Sequence, residues 1–204
     1  MANQDAPFGF RAVGGMGSSY ETQGTSKYQI NDNYTSAIYQ GDVVMTGDGG
    51  SDGPTNTSVA GYIAPSAVGD NNNVGIFNGC FYNDPTTQKP TWKNYYPGAI
   101  NITQGYIDAF VYDNPQQLYE SQTAGTLTQS DAGNLIDMAT YVAGSTVNGS
   151  SNEELHTASI SNTATFRIIR LSADPSNSDT SSANSNWIVR FNESIYYDRA
   201  VKTA

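Results

Sequence analysis

Two short runs near the end of the sequence alternate apolar and polar residues with the period of two that is typical of β-strands. They span residues 165–171 and 187–192, and the segment between them is rich in Ser and Asn and has Asp-Pro near its start. The pattern predicts a hairpin with a long exposed loop. The residues expected in its core are Phe166, Ile168, Trp187, Val189 and Phe191.

A third run, residues 105–112, alternates in the same way. It places Ile107, Ala109 and Val111 on one face of a strand. The opposite face holds Tyr106, Asp108, Phe110 and Tyr112. Because this second face is also largely aromatic, we expect it to pack too, against a neighbouring subunit.

The composition extends this prediction to the whole chain. Charged residues make up only 14% of the 204 residues, against about 25% in ordinary soluble domains. Asn, Ser, Thr, Gly and Tyr replace them, and these residues suit strands and turns. We therefore expect an all-β domain, a β-barrel, a β-tulip or a sandwich, with long Ser/Asn/Gly-rich loops and at most one helical turn, in residues 128–136.

The first eleven residues carry two aromatic rings without helical periodicity. Phe8 and Phe10 would lie on one face of an extended strand, which suits docking onto the sheet edge of another protein. We expect an N-terminal arm that binds a partner through Asn3, Pro7, Phe8, Phe10 and Arg11. The alternative is that these rings fold back onto the chain's own core.

A glycine-rich stretch follows this arm. Gly14, Gly15 and Gly17 are expected to form a hinge that lets the arm bend. The sequence thus predicts an arm with its hinge at residues 1–19 and a β-rich domain at residues 20–204.

Charge excludes two classes of partner. Nineteen acidic and nine basic residues give a formal net charge of −10, so DNA and anionic membranes would be repelled. No apolar run approaches the ~18 residues of a membrane span, and the first residues lack the basic-then-apolar pattern of a secretory signal. We expect neither a nucleic-acid nor a membrane partner.

Residues with catalytic chemistry are scarce. The chain has one cysteine, Cys80, in an apolar strand pattern and one histidine, His156, in a polar stretch, too few for a nucleophilic pair or a usual zinc site. We expect no enzyme, no metal and no cofactor. An irregular calcium site at residues 48–53 remains open, as does a polysaccharide hydrolase that would use Asp108, Asp113 and Glu120.

Tyrosine is abundant, with fourteen copies. Its ring gives a large rigid contact area and its hydroxyl tolerates water, so Tyr is enriched at protein interfaces. Aromatic platforms also bind sugars, so this abundance fits two functions. The candidate subunit-interface aromatics are Trp92, Tyr95, Tyr96, Phe110 and Tyr112.

Several segments together resemble the capsid cement proteins, also called head-decoration proteins, that tailed bacteriophages encode near the major capsid protein. The resemblance begins with Met1-Ala-Asn-Gln-Asp-Ala-Pro-Phe-Gly-Phe-Arg11 and continues with Gly75-Ile-Phe-Asn-Gly79 and Asp84-Pro-Thr-Thr. Trp92, the Asp113-Asn-Pro115 turn, Phe166-Arg-Ile-Ile-Arg-Leu171 and Asn186-Trp-Ile-Val-Arg-Phe-Asn-Glu193 complete it.

The resemblance implies a β-rich structural protein of the virion, made in the bacterial cytoplasm and bound to the outer surface of the capsid. It implies a homotrimer whose N-terminal arms bind subunits of an HK97-type major capsid protein and stabilise the expanded head. The chain is longer than the smallest decoration proteins, and residues 48–73 or 145–157 are candidates for the insertion. The alternative function is a carbohydrate-binding or host-adhesion module, with Trp92, Tyr95 and Tyr96 lining a shallow site.

Overall fold

A computed structural model describes residues 3–16, 24–32, 34–47, 61–70, 72–102, 106–139, 141–160 and 164–196, without the side chains of 158–160. The described chain is almost entirely β-structure with one short 3₁₀ turn, Gln129–Asp131. The all-β prediction is therefore confirmed, and of the three architectures expected the sandwich is found rather than a closed barrel. Its strands are β1 (Arg11–Gly15), β2 (Ser26–Ile30), β3 (Val43–Thr46), β4 (Ile63–Pro65), β5 (Asn73–Asn83), β6 (Pro90–Lys93), β7 (Ile107–Tyr112), β8 (Gln117–Gln122), β9 (Leu135–Met138), β10 (Leu155–Ile160), β11 (Phe166–Leu171) and β12 (Asn186–Phe191).

The strands form two antiparallel sheets. The first sheet has the order β1-β8-β12-β11-β9-β10, and the second has the order β2-β7-β5-β3-β4, with β6 pairing the far end of β5. The predicted hairpin is confirmed as β11 and β12, in which Phe166 lies opposite Phe191. All five residues expected in its core are buried.

Apolar side chains fill the space between the sheets. Val43 and Ile76 of the second sheet pack against first-sheet residues such as Phe166 and Trp187. The neighbouring residues Val44 and Phe77 belong to a separate cluster on the other face of the second sheet. In that cluster loop residues cover the sheet, namely Tyr34, Ile38, Tyr96 and Ile100.

The second sheet is longer than the part that the first sheet covers. Strand β5 has eleven residues, and its first half contributes Ile76 to the core between the sheets. Its second half pairs β6 and carries Phe81, which is 39% exposed. One end of this sheet face is therefore open to solvent.

Candidate binding surface

The N-terminal segment, residues 3–10, lies against its own domain. The Asn3 side-chain amide donates to the carbonyls of Asp179 and Ala183, each at 2.8 Å, and the Asp179 N–H donates to Asn3 Oδ1 at 3.1 Å. The Gln4 N–H donates to Asn177 Oδ1 at 2.9 Å. These bonds tie the segment to the loop between β11 and β12, which was expected to be simply exposed.

Phe10 is buried in the core of its own subunit, with 2% of its surface exposed. Its ring stacks on Phe166, with centroids 4.4 Å apart and planes 15° from parallel. The prediction that Phe10 docks into a partner is therefore wrong for this conformation. The physical reason is that an alternating edge strand fits a sheet of its own subunit as well as it fits a foreign one.

The expected hinge is part of a strand. Gly14 and Gly15 lie in β1, which pairs with β8, and the Gln117 side-chain amide donates to the Gly14 carbonyl. The register shifts between Ala12 and Gly14, where the φ of Gly14 is +152°. The glycine thus serves a β-bulge rather than a hinge. Gly17 lies outside the described residues, and so does the turn at residues 48–53.

β1 belongs to the first sheet, so residues 11–15 are not a separate arm, which corrects the predicted boundary at residue 19. Pro7 and Phe8 are half-buried, while Arg11 is exposed. The Arg11 guanidinium lies 5.0 Å from the centre of the Phe8 ring and pairs with Glu120. Arg11 is therefore the exposed member of the predicted arm, while Asn3, Pro7 and Phe8 remain partly accessible.

The open end of the second sheet carries three aromatic side chains, Phe81, Trp92 and Phe110, which we call the aromatic patch. Trp92 is 51% exposed and packs against the half-buried Phe110, with ring centroids 5.1 Å apart. Strand register explains their proximity: Phe81 lies opposite Trp92 and Phe110 lies opposite Gly79.

Gly79 forms the floor of the patch. A Cβ placed on it would lie 2.6 Å from Trp92 Cζ2, and its φ is +148°. Any larger residue at this position would displace the indole and strain the backbone. Because Gly79 has no side chain, the indole of Trp92 packs directly on the backbone of β5 at this position.

An ion pair borders the patch. Lys27 lies opposite Phe110 in the β2–β7 register, and its Nζ is 2.8 Å from Asp108 Oδ2. Both side chains are solvent-accessible, so the pair contributes about 1 kcal/mol or less to stability. The pair places two charged groups next to the apolar surface of the patch.

A groove of about 300 Å³ adjoins the patch along β1. Its walls include Phe8, Arg11, Gln40, Asn78 and Tyr112. Asn78 precedes Gly79 on β5, and Tyr112 lies two residues beyond Phe110 on the same face of β7. The strands therefore place one wall of the groove next to the patch.

Side-chain amides line one side of this surface. The Gln40 amide donates to Asn78 Oδ1 at 3.0 Å, and the Asn94 amide donates to the Asn148 carbonyl at 2.6 Å. Asn94 also lies within 3.5 Å of Gln40 Oε1. These exposed neutral groups can each donate and accept further hydrogen bonds.

The other predicted interface aromatics divide into two groups. Tyr96 is fully buried and donates its hydroxyl to the Tyr34 carbonyl at 2.8 Å, so its prediction as an interface residue is wrong. Tyr112 is half-buried and packs against the core between the sheets. Tyr95 is half-buried and stacks on Tyr39, with centroids 5.8 Å apart. Of the five, Trp92 and Phe110 come together at the surface.

Two buried carboxyls form a site that sequence reasoning missed. Asp42 is 0% exposed and accepts the Tyr39 N–H at 2.7 Å, and Glu153 is 2% exposed and accepts the Val43 N–H at 2.9 Å. Burial raises the pKa of Asp42 to about 6, against the opposing effect of hydrogen bonds from Ser151 and Tyr39. Burial and then the Asp42 charge raise the pKa of Glu153 well above its usual value.

The side chains considered for catalysis lie in the core, in a strand or in contact with other side chains of the domain. Cys80 is buried, and burial raises the pKa of its thiol to about 12. His156 lies in β10 opposite Asp137. The three carboxyls of the hydrolase hypothesis each have partners: Lys27 for Asp108, Tyr28 and Ser26 for Asp113, and Arg11 and Ser172 for Glu120.

The described part of the chain holds neither a metal-binding cluster nor a membrane-spanning helix. It contains no group of three or more His, Cys, Asp or Glu side chains placed to hold a metal ion. It also contains no helix that is long and apolar enough to cross a membrane. Comparisons with protein-family models, curated proteins and solved structures gave no match to this chain.

Proposed function

We propose that this chain is a structural virion protein, a capsid cement or decoration protein that binds the outer surface of an expanded phage head. The observation that carries the proposal is the aromatic patch, in which Trp92 and Phe81 remain 51% and 39% exposed beside Phe110. Contiguous exposed aromatic surface favours a protein-binding role. The resemblance of the sequence to phage decoration proteins supplies the class of partner.

The patch has the properties of a binding hot spot. Trp is the residue type most enriched among side chains that dominate binding energy, and apolar neighbours exclude water around it. Because Gly79 and Phe110 hold the indole in place, little side-chain entropy is lost on binding. Arg11, across the groove, would contribute to the polar rim of the same contact, and the neighbouring Phe8 would add apolar area.

The proposed mechanism is preferential binding to one state of the shell. A subunit that binds only the expanded capsid shifts the equilibrium towards that state by its difference in affinity. In a homotrimer, which the sequence resemblance implies, three modest contacts combine through effective concentration. The partner would be neighbouring copies of an HK97-type major capsid protein.

The decisive measurement is the copy number of the protein in purified virions. A number close to that of the major capsid protein supports a cement role, whereas a handful of copies per particle contradicts it. In a reconstitution with expanded capsids, Trp92→Ala should weaken binding by roughly thirtyfold, as expected for a hot-spot residue. Val68→Ser is the matched control, because Val68 is 46% exposed in the turn that precedes β5, at the opposite end of that strand from Phe81.

A second candidate is a carbohydrate-binding module, and the amide cluster favours it. Trp92 offers an aromatic face, while Gln40, Asn78 and Asn94 offer neutral donors and acceptors beside a groove of about 300 Å³. An apolar surface with a few convergent polar groups suits a small ligand. Because these amide side chains are uncharged, they favour a neutral sugar as the ligand.

This candidate is tested by calorimetry with neutral oligosaccharides. Binding that Trp92→Ala and Asn78→Ala both abolish, and Val68→Ser leaves intact, would support it. No heat of binding at millimolar concentrations of the sugars would eliminate it. A protein that binds sugars but does not coat capsids would reverse the order of the two candidates.

A further inference from the structure

The buried carboxyls of Asp42 and Glu153 are only partly satisfied by hydrogen bonds. One oxygen of each carboxyl accepts a backbone N–H, but Asp42 Oδ1 and Glu153 Oε1 have no hydrogen-bond partner. Leaving a buried charged oxygen unpaired is unfavourable by several kcal/mol in general. Because both unpaired oxygens belong to neighbouring carboxyls, one proton or one cation held between them would give both a partner.

Their surroundings supply only neutral donors. The Ser151 hydroxyl is near enough to Asp42 to lower its pKa against the effect of burial, and the Glu153 N–H donates to Ser151 Oγ at 3.0 Å, so this serine lies between the two acids. Two carboxylates that interact this closely in a buried site cannot both ionise readily, and retaining one proton relieves their repulsion. A protonated carboxyl also has the O–H donor that the second carboxylate lacks.

The N-terminal segment is held by the same two loops. The Gly9 N–H donates to the Glu153 carbonyl at 3.1 Å, and the Phe10 N–H donates to the Gly41 carbonyl at 3.0 Å. Gly9 has a φ of +73°, and a Cβ on it would lie 2.5 Å from Ser151 Cβ. The segment therefore lies in a notch that exists only while the two acidic loops stay together.

We propose that Asp42 and Glu153 share one proton and that this carboxyl pair is a latch, which holds residues 3–10 against their own subunit. When the shared proton leaves to water, the two carboxylates repel each other and the notch opens. The latch then releases Gly9 and Phe10. A freed segment would present Phe8 and Phe10 to a partner, although the latch itself does not depend on the capsid role.

The groups that face the pair determine the pH range of the latch. Tyr39 lies on the same turn as Asp42, and Tyr141 faces both acids and is kept neutral by burial, which raises its pKa. Glu154, the next residue after Glu153, interacts with Asp5 and His156 instead. Because burial raises the pKa of Tyr141 and keeps its hydroxyl protonated, the proton of the pair is the group that changes between neutral and mildly alkaline pH.

The test is residue-level hydrogen exchange on the full chain, with intrinsic rates corrected for pH. Protection of the Gly9 and Phe10 amides should fall about tenfold or more between about pH 6 and about pH 9. Asp42→Asn and Glu153→Gln keep a hydrogen-bonding side chain in the pair and remove one charge, so each should retain most of the protection at the higher pH. Asp5→Asn removes a negative charge nearby but outside the pair, and it should behave like the wild type.

Three results would overturn the latch. The first is protection of Gly9 and Phe10 that does not change with pH in the wild type. The second is a fall in protection that is the same in wild type, Asp42→Asn and Glu153→Gln. The third is that millimolar calcium restores full protection at about pH 9 and that a chelator removes the protection at about pH 6. This result would show that a cation rather than a proton joins the carboxyls.

Discussion

The rings of Phe10 and Phe166 are stacked 4.4 Å apart, and this contact joins the residue before the edge strand β1 to the β11–β12 hairpin. Phe166 in turn packs against Phe191, with centroids 4.7 Å apart. An aromatic pair of this kind stabilises by about 1 kcal/mol beyond the burial of its surface. The N-terminal segment is thus part of the folded core.

Replacing Phe10 should destabilise the domain. We expect Phe10→Ala to lower the free energy of unfolding by about 3–5 kcal/mol, because it removes a buried ring and leaves a cavity. Urea denaturation measures the change. Phe8→Ala is the control, since Phe8 is half-buried and should lower stability by about 1 kcal/mol. Equal effects of the two substitutions would contradict the assigned burial of Phe10.

Asn3 should stabilise the loop that it contacts. Its side chain makes four hydrogen bonds to the backbone of residues 179–183, so Asn3→Ala should lower stability by about 1–3 kcal/mol and speed proteolytic cleavage in that loop. Gln4→Ala keeps its backbone bond to Asn177 and serves as the control. Unchanged cleavage in Asn3→Ala would show that the loop is ordered without the N-terminal segment.

The successful predictions rest on patterns within a single element. Alternation in β7 and in the β11–β12 hairpin assigned the buried faces correctly, because the period of a strand is encoded locally. Tyr96 was misassigned because a tyrosine pair at a strand end carries no periodicity that separates buried from exposed rings. Phe10 was misassigned because sequence cannot tell which sheet an edge strand will join.

The buried acid pair could not be found from sequence at all. Val43 and Glu153, which are joined by a hydrogen bond, lie 110 residues apart along the chain. Nothing local distinguishes Glu153 from its neighbour Glu154, yet Glu153 is only 2% exposed whereas Glu154 is half-buried. Such contacts depend on the packing of loops between sheets. The aromatic patch was anticipated in part, through Trp92 and Phe110.

Gly79 should be intolerant of any side chain. Gly79→Ala would bring a Cβ to 2.6 Å from Trp92 Cζ2, so we expect a loss of stability greater than the ~1 kcal/mol of backbone strain alone. Near-ultraviolet circular dichroism should change as the indole moves. Gly69→Ala separates the two effects, because Gly69 also has a positive φ, +88°, but an added Cβ would meet nothing within 4 Å. If both variants lose the same stability, the contact with Trp92 is not what restricts Gly79.

Stability should fall as the pH rises from about 4 towards neutral, opposite to the trend for carboxylates in surface ion pairs. Burial raises the native pKa of Asp42 from 3.8 to about 6 and that of Glu153 above 4.5. Between these values the native state therefore holds protons that the unfolded chain has already released. The stabilisation from these protons is complete below the pKa values of the unfolded chain. It is lost as the pH rises through the pKa values of the native state. Asp42→Asn should flatten this profile and raise stability near pH 8, by on the order of 1 kcal/mol per unit of pKa shift removed. Urea midpoints measured from pH 4 to pH 8 test the prediction, with Asp5→Asn as the control, and a wild-type profile that rises over this range would refute it.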